Sequence, residues 1–351
     1  QYQGANSIYY KDNKLNTWVG ISWTDFGDKI QNLSKALLNY GIKEHQNIAI
    51  FAENMPDWII ADIAIMSIRA VTVPIYATNS KKEVDYIVND AEISLVFVGG
   101  QEEYAKALQI SKTNSNLKYI VSLCEDINIE DNESSIYLND FLVLKSNETI
   151  ETELQKRYYE CKSTDLASII YTSGTTGEPK GVMLDHTNFM QSLIAHDFEL
   201  TVSEKDSSLS FLPLSHIYER SWVFFCLHRG IKVYFNQNPK LIAEVLKEVK
   251  PTVMCTVPRI FEKIFAAIQD KRKEASPTKM KLASWALGIG NAYFNKYKRN
   301  DIKVPLALKL KHKIADKLVL SKLREVFGGR IKFMPWGGAP LATDMVSVPY
   351  K

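Results

Sequence analysis

The feature that most constrains the fold is a series of short apolar runs separated by helical patterns. Asn47 to Ala52 (NIAIFA), Val71 to Ile75 and Ile93 to Val98 (ISLVFV) are too short for helices and show no polar alternation, as expected of strands covered on both faces. Between them, Pro56 to Ala70 reads as a helix with Pro in its opening turn. Ser80, with Glu83 three residues on, makes a capping box for a helix over Lys81 to Asp90. Gly99 and Gly100 close the third run, and Leu117 to Ser122 (LKYIVS) supplies a fourth after an intervening helix. Such alternation predicts an α/β fold with a parallel sheet and helices on its faces. The most apolar stretch, Trp58 to Ala77, is long enough to span a bilayer, but Asp62, Arg69 and Pro74 interrupt it. It reads instead as a buried helix followed by a strand.

From Glu125 to Glu160 the pattern loosens into acidic and polar residues, which predicts a junction between two α/β subdomains, 1–160 and 161–351. In the second block, strands are expected over Ser207 to Leu212, Ile231 to Phe235, Thr252 to Thr256 and Arg330 to Met334. Helices are expected from about His216 to Leu227, Pro239 to Val249 and Pro258 to Asp270. No internal repeat is visible. At 351 residues and 46% hydrophobic content, the chain can bury a large core.

Cys124, Cys161, Cys226 and Cys255 match neither a zinc pattern nor a disulfide framework, so reduced thiols in the cytoplasm are expected. The residues after Gln1 show no charged head and apolar stretch, hence no signal peptide pattern. Charge is uneven. Lys271 to Arg330 hold 16 Lys and Arg against 4 Asp and Glu, a local +12, which against the chain's net +3 leaves −9 for the rest. A stretch of this kind attracts an anionic surface, a phosphorylated cofactor or nucleic acid, or is simply a solvated helical face. Nucleic-acid recognition motifs are not interleaved with it, and no nucleic acid is expected.

Leu166 to Ile170 leads directly into YTSGTTGEPKG, residues 171–181. Gly174 and Gly177 are three apart, Lys180 comes three later and Gly181 follows it, which is not the spacing of the common triphosphate loop. The chemistry nevertheless suits phosphate: Thr172, Ser173, Thr175 and Thr176 offer hydroxyls, the two glycines let backbone N–H groups turn inward, and Lys180 brings charge. Val182-Met183-Leu184 reads as a strand and the next helix begins near Thr187 and Asn188. The loop is therefore expected between two strands, not beneath a helix N-terminus. Clusters of Ser, Thr and Gly also make plain turns, and these residues alone leave both readings open.

Continued as VMLDHTNF, the run closely resembles the AMP-binding signature of the adenylate-forming enzymes, the superfamily of acyl-CoA synthetases, firefly-type luciferases and peptide-synthetase adenylation domains. Phe211-Leu212-Pro213-Leu214-Ser215-His216-Ile217-Tyr218-Glu219-Arg220 resembles the next family motif in its long-chain fatty acyl form. Val257-Pro258-Arg259-Ile260-Phe261-Glu262-Lys263-Ile264 is similar to another long-chain hallmark, and Gly337-Gly338-Ala339-Pro340-Leu341 to the segment lining the adenine and acyl pocket. Ser22-Trp23-Thr24 before an amphipathic helix is similar to the family's opening.

The resemblance implies a large N-terminal adenylation domain of two α/β subdomains with parallel-rich sheets. It also implies a two-step reaction: ATP and a fatty acid give acyl-adenylate and pyrophosphate, and coenzyme A then displaces AMP, with Mg2+ assisting. On this reading Lys180, Thr172 and His216 are catalytic. Thr172, Ser173, Gly174, Thr175, Thr176, Gly177 and Lys180 hold the β- and γ-phosphates, while Gly337, Gly338, Ala339 and Pro340 admit the adenine. Tyr218, Glu219, Arg220 and Trp336 would shape the acyl site, although Glu219 and Arg220 could instead pair within their helix, and Trp336 could be core packing. No residue is assigned as a metal ligand. After Leu341 the tail ATDMVSVPYK has no counterpart to the family's aromatic-Gly-x-Thr-Glu and Thr-Gly-Asp motifs, hinge or C-terminal lid, so this chain alone is expected to be weakly active or inactive. Two alternatives are an acyl-adenylating ligase that loads a carrier protein and a non-catalytic nucleotide-binding module. Under the ligase reading, residues 271–330 are expected to draw a cytoplasmic protein to the periphery of an anionic membrane.

Overall fold

The computed structural model describes residues 4–12, 14–143, 148–172, 178–262, 276–298 and 300–339. The chain divides into two compact units, Gln1–Glu204 with Phe211–Gln237, and Lys205–Ser210 with Asn238–Lys351.

The first unit opens with strands that the sequence reading does not anticipate, β1 (Asn6–Asp12) and β2 (Thr17–Ser22), paired antiparallel. Ser22 then caps α1 (Trp23–Asn39), its Oγ accepting the Asp25 N–H at 3.1 Å. The predicted alternation follows: β3 (Asn47–Phe51), α2 (Pro56–Ser67), β4 (Val71–Ile75), α3 (Lys81–Asp90), β5 (Leu95–Val98), α4 (Gln101–Ser111) and β6 (Tyr119–Ser122). The capping box of α3 is formed, with the Ser80 N–H donating to Glu83 Oε2 at 2.7 Å. After β7 (Ser135–Tyr137), α5 (Leu138–Phe141) and α6 (Glu148–Glu160) come β8 (Leu166–Thr172), β9 (Lys180–Asp185) and α7 (His186–Glu199). The chain then places β10 (Ser207–Ser210) in the second unit and returns through α8 (Ile217–His228) and β11 (Lys232–Phe235). β11 runs parallel to β1.

Seven strands form the main sheet in the order β7-β6-β5-β3-β4-β8-β9, parallel except for the antiparallel β8–β9 pair. Alternate residues explain its unbroken apolar strands. Ala49, Phe51, Val73, Ile75, Val96 and Val98 share one buried cluster with Val84 and Ile87 of α3 and Tyr104 of α4. Their neighbours Ile48, Ile50, Leu95 and Phe97 are equally buried, so each strand needs apolar side chains on both faces.

The sheet runs across the junction expected at residue 160, because β8 pairs with β4 through Thr72 and Ser168. Part of the acidic stretch that suggested a linker forms an edge strand, β7, and a polar helix surface, α6. On α6 most of the charged residues face water, and β7, only three residues long, is the kind of short edge that resists further pairing.

In the second unit a 3₁₀ turn, Pro239–Leu241, precedes α9 (Ile242–Val249), and α10 (Pro277–Asn291) and α11 (Leu306–Ala315) follow. The described part of the basic region is mostly helical, with π-helical turns at Ala292–Lys298 and Asp316–Leu320. The strands predicted over Thr252 to Thr256 and Arg330 to Met334 reduce to single parallel bridges, Ser208 with Val253, Val253 with Phe333, and Thr256 with Trp336. Residues 258–262 are helical, and residues 263–270 of that predicted helix lie outside the described residues. No helix among the described residues is long and apolar enough to cross a membrane.

Candidate active site

β8 and β9 carry the two ends of the glycine-rich loop. Their register sets Thr172 opposite Lys180 and Tyr171 opposite Gly181. A β-carbon on Gly181 would lie 2.8 Å from Ile169 Cγ2 and 3.2 Å from Tyr171 Cζ, so the Tyr171 ring covers the space that a side chain would need. Tyr171 is in turn held by α3, its hydroxyl donating to Asp90 Oδ2 at 2.5 Å. Burial, followed by the bond to Asp90, raises the phenol's pKa and keeps the donor protonated. A slip by one residue would put a side chain under the ring and turn Lys180 to the other face of the sheet. The lock therefore presents Thr172 and Lys180, both exposed, facing one another at the loop's mouth. Lys180 has no ion-pair partner among the described residues. Ser173, Gly174, Thr175, Thr176 and Gly177 lie outside them.

A second element converges at the carboxyl end of β3, where strand order reverses and α/β sheets form their crevices. Here Asn54 clasps the segment before α8: its Nδ2 donates to Leu212 O at 2.7 Å and its Oδ1 accepts the Leu214 N–H at 2.9 Å. That fixes the approach to His216, the N-cap of α8, whose Nδ1 accepts the Tyr218 N–H at 3.1 Å. Partial burial lowers the imidazole pKa below its usual value, so the ring is neutral at pH 7. With Nδ1 engaged as an acceptor, the proton of the neutral ring resides on Nε2, leaving one N–H to donate outward.

Arg220, one turn further along α8, is wholly buried and points the other way. Its Nε donates to Asp62 Oδ2 at 2.7 Å, its Nη2 also bonds Asp62, and its Nη1 donates to Ser168 Oγ at 2.6 Å. Ser168 Oγ donates onward to Thr72 O at 2.7 Å. The guanidinium also lies 5.1 Å from the Phe189 ring centre and 5.7 Å from that of Phe224. One side chain thus ties α8 to α2 and to β8, the strand that delivers Thr172. The sequence left Arg220 either shaping the acyl site or pairing with Glu219; the structure shows it bonded to Asp62, as a pin between elements. Glu219 is buried and Tyr218 half-buried beside it.

The family described as AMP-binding enzyme matches residues 2–347. The chain belongs to the AMP-binding enzymes. It is similar to the "Probable CoA ligase CCL6" of Humulus lupulus, 30% identical over 343 residues that cover 94% of this chain and 50% of that protein. It is also similar to "Long chain acyl-CoA synthetase 3" of Arabidopsis thaliana, 29% identical over 348 residues, 96% of this chain and 50% of that one. The chain thus spans about half the length of the curated relatives it matches. The adenylation domain of a carboxylate reductase from Mycobacterium chelonae superposes with a TM-score of 0.67 at 17% identity, covering 97% of this chain and 52% of that one, and at this identity the likeness shows the fold.

Within this AMP-binding fold the remaining predicted residues fall in the second unit. The bridge between Thr256 and Trp336 holds the glycine segment, and the Gly337 N–H donates to Thr256 O at 3.2 Å. Gly338 adopts φ +84°, a left-handed turn that favours glycine. Trp336 is 46% exposed, which sets aside its reading as core packing. Ala339 is exposed, and Pro340 lies outside the described residues.

Asn54, Asp62 and Ser168 were not singled out as site residues. Only Asp62 left a signal, as a carboxylate inside an apolar helix, which demands a buried cation somewhere. In the first unit a largely apolar cavity of about 530 Å³ lies beside α7 and α8, lined by His186, Phe189, Met190, Leu193, Phe224 and His228 among others. No group of three or more His, Cys, Asp or Glu that could hold a metal ion exists among the described residues.

Proposed function

We propose that the protein activates a long-chain fatty acid in two steps. A carboxylate oxygen attacks the α-phosphorus of ATP, the bond to the β-phosphate breaks, and pyrophosphate leaves behind an acyl-adenylate. The thiol of coenzyme A then attacks the acyl carbonyl, AMP departs and the thiol proton passes to solvent. The first step needs no proton transfer, so the chain's task is to align two anions and oppose their charge. The observation that carries this reading is the locked β8–β9 register, which sets the Thr172 hydroxyl opposite the Lys180 ammonium, unpaired among the described residues, at the two ends of the glycine-rich segment.

On this reading Lys180 and Thr172 meet the phosphates, with Ser173 to Gly177 supplying further hydroxyls and backbone donors. The Nε2–H of His216 donates to the carboxylate or to the carbonyl of the acyl-phosphate. Gly337 to Pro340 admit the adenine. Mg2+ would accompany the triphosphate as its counter-ion and offset its charge. The alkyl chain runs along α8: Phe224 lies eight residues beyond His216, about 12 Å at the helical rise, and lines the apolar cavity. The four cysteines are free thiols, in keeping with work in the cytoplasm.

Because the chain spans half of its relatives, the test uses the full gene product. Fatty-acid-dependent exchange between ATP and labelled pyrophosphate should fall roughly 100- to 1,000-fold in Lys180→Ala, the scale for losing one preorganised donor at developing charge. Exchange at the wild-type rate would overturn the assignment. Product analysis with coenzyme A against an acyl-carrier protein then identifies the acceptor.

A further inference from the structure

α11 has two apolar faces, although a surface helix needs only one. Its inward face is accounted for: Ala315, and Val319 and Leu320 just beyond, join Ala286 and Leu287 of α10 in a local core. The outward side nevertheless carries Leu306 at 83% exposure, Leu310 at 67% and Ile314 at 49%, with Leu318 at 44% one step further. These four recur every fourth residue, so they form one gently winding stripe.

Lysines border the stripe. On a helical wheel Lys309, Lys313 and Lys317 fall along one side or between the apolar residues, and Lys311 falls on the other. All four are exposed, and none has an ion-pair partner among the described residues. The only carboxylate from 306 to 320 is Asp316, which is engaged by Arg324 Nη2 at 2.6 Å. An exposed leucine stripe flanked by cations, with no free carboxylate between residues 306 and 320, matches a bilayer interface carrying negative headgroups. Aliphatic side chains enter the acyl boundary there while lysine stems extend their ammonium groups to the phosphates. A nucleic acid would use the lysines and leave the leucines in water.

We infer that the outward face of α11 docks on an anionic lipid bilayer, with Leu306, Leu310 and Ile314 inserted and Lys309, Lys311, Lys313 and Lys317 on the lipid phosphates. This contact is independent of the ligase reading, since it needs neither ATP nor catalysis. It would bring the chain to the phase in which long-chain fatty acids dissolve.

The test is co-sedimentation of the full chain with vesicles of phosphatidylcholine, with and without phosphatidylglycerol. The chain should sediment with the anionic vesicles and not with the neutral ones, and raised salt should release it. The variant L306S/L310S/I314S should lose most of the binding, and replacing Lys309, Lys313 and Lys317 by Ala should weaken it roughly fivefold per lysine. All six side chains are exposed, so an unchanged melting temperature shows that the fold survives. Equal binding to neutral vesicles, or wild-type binding by L306S/L310S/I314S, overturns the inference. So does a self-associating chain that this variant renders monomeric while vesicle binding is absent, which would make a second copy the occupant.

Discussion

The two units use charge in opposite ways. In the first, cations are taken out of water and spent on geometry: Arg220 is wholly buried against Asp62, and Arg69, 9% exposed, donates to Asp165 Oδ2 at 2.8 Å and to Glu44 Oε2 at 2.9 Å. In the second, the lysines of α11 stand in solvent and the leucines stand there with them. A buried ion pair adds little net stability over an apolar replacement of both partners, yet it is costly to break, so it defines an arrangement more than it strengthens one. The exposed lysines of such a helix define nothing within the fold and are free to serve a partner. The difference separates a scaffold that must hold Thr172, Lys180 and His216 still from a surface that must remain available.

The sharpest way to break this comparison is Arg220→Met, which leaves the Asp62 carboxylate buried without its cation. The expected loss is about 3–5 kcal/mol by denaturant unfolding, whereas Asp62→Asn combined with Arg220→Met should recover much of it. A loss no larger than that of an exposed lysine would remove the distinction between the units. Next in size is Gly181→Ala, where the new methyl meets Ile169 and the Tyr171 ring; overpacking of this kind costs about 1–3 kcal/mol, and pyrophosphate exchange should fall with it as the register is disturbed.

His216 divides two roles. His216→Ala should cost about 1 kcal/mol through the lost cap, while His216→Asn, whose side chain accepts the same Tyr218 N–H, should keep the stability. Both should lose activity if the imidazole N–H is the catalytic donor. If His216→Asn is fully active, the residue is only a cap.

The smallest effect is read in acid. Burial acts to raise the pKa of Asp165, but the hydrogen bond from Arg69, the Lys162 N–H and the Arg69 charge outweigh it, and the carboxyl lies below its usual value. A depressed folded-state pKa gives stability that is present above the unfolded value of about 3.9 and lost as pH falls through the folded one. Asp165→Asn should therefore be less stable than the parent at neutral pH, with the difference closing below about pH 4 in urea titrations.

Much of the first unit was legible because its signals are local. Ser80 and Glu83 are three residues apart, and the α3 box forms as written. Leu166 to Asp185 reads as strand, loop and strand because the apolar runs flank the glycines directly. What was not legible depends on distance. Nothing near Asp62 announces Arg220, and the edge role of the acidic stretch after Glu125 exists only once the sheet beside it has formed. The hairpin of β1 and β2 was missed because NSIYYKD and TWVGIS lack strong alternation. Thr252 to Thr256 looked like a strand on propensity, but only Val253 and Thr256 find bridging partners.

The Arg220 pin also bears on how the chain folds. Arg220 stands 158 residues from Asp62 and 52 from Ser168, so its bonds close only after long stretches of chain have been brought together. On that ordering cost the pin is expected to close after the rate-limiting step. Arg220→Met should therefore leave the refolding rate near that of the parent and put its cost into faster unfolding. The pin would then act as a latch on the finished molecule, setting how long the native state lasts and not how quickly it is reached.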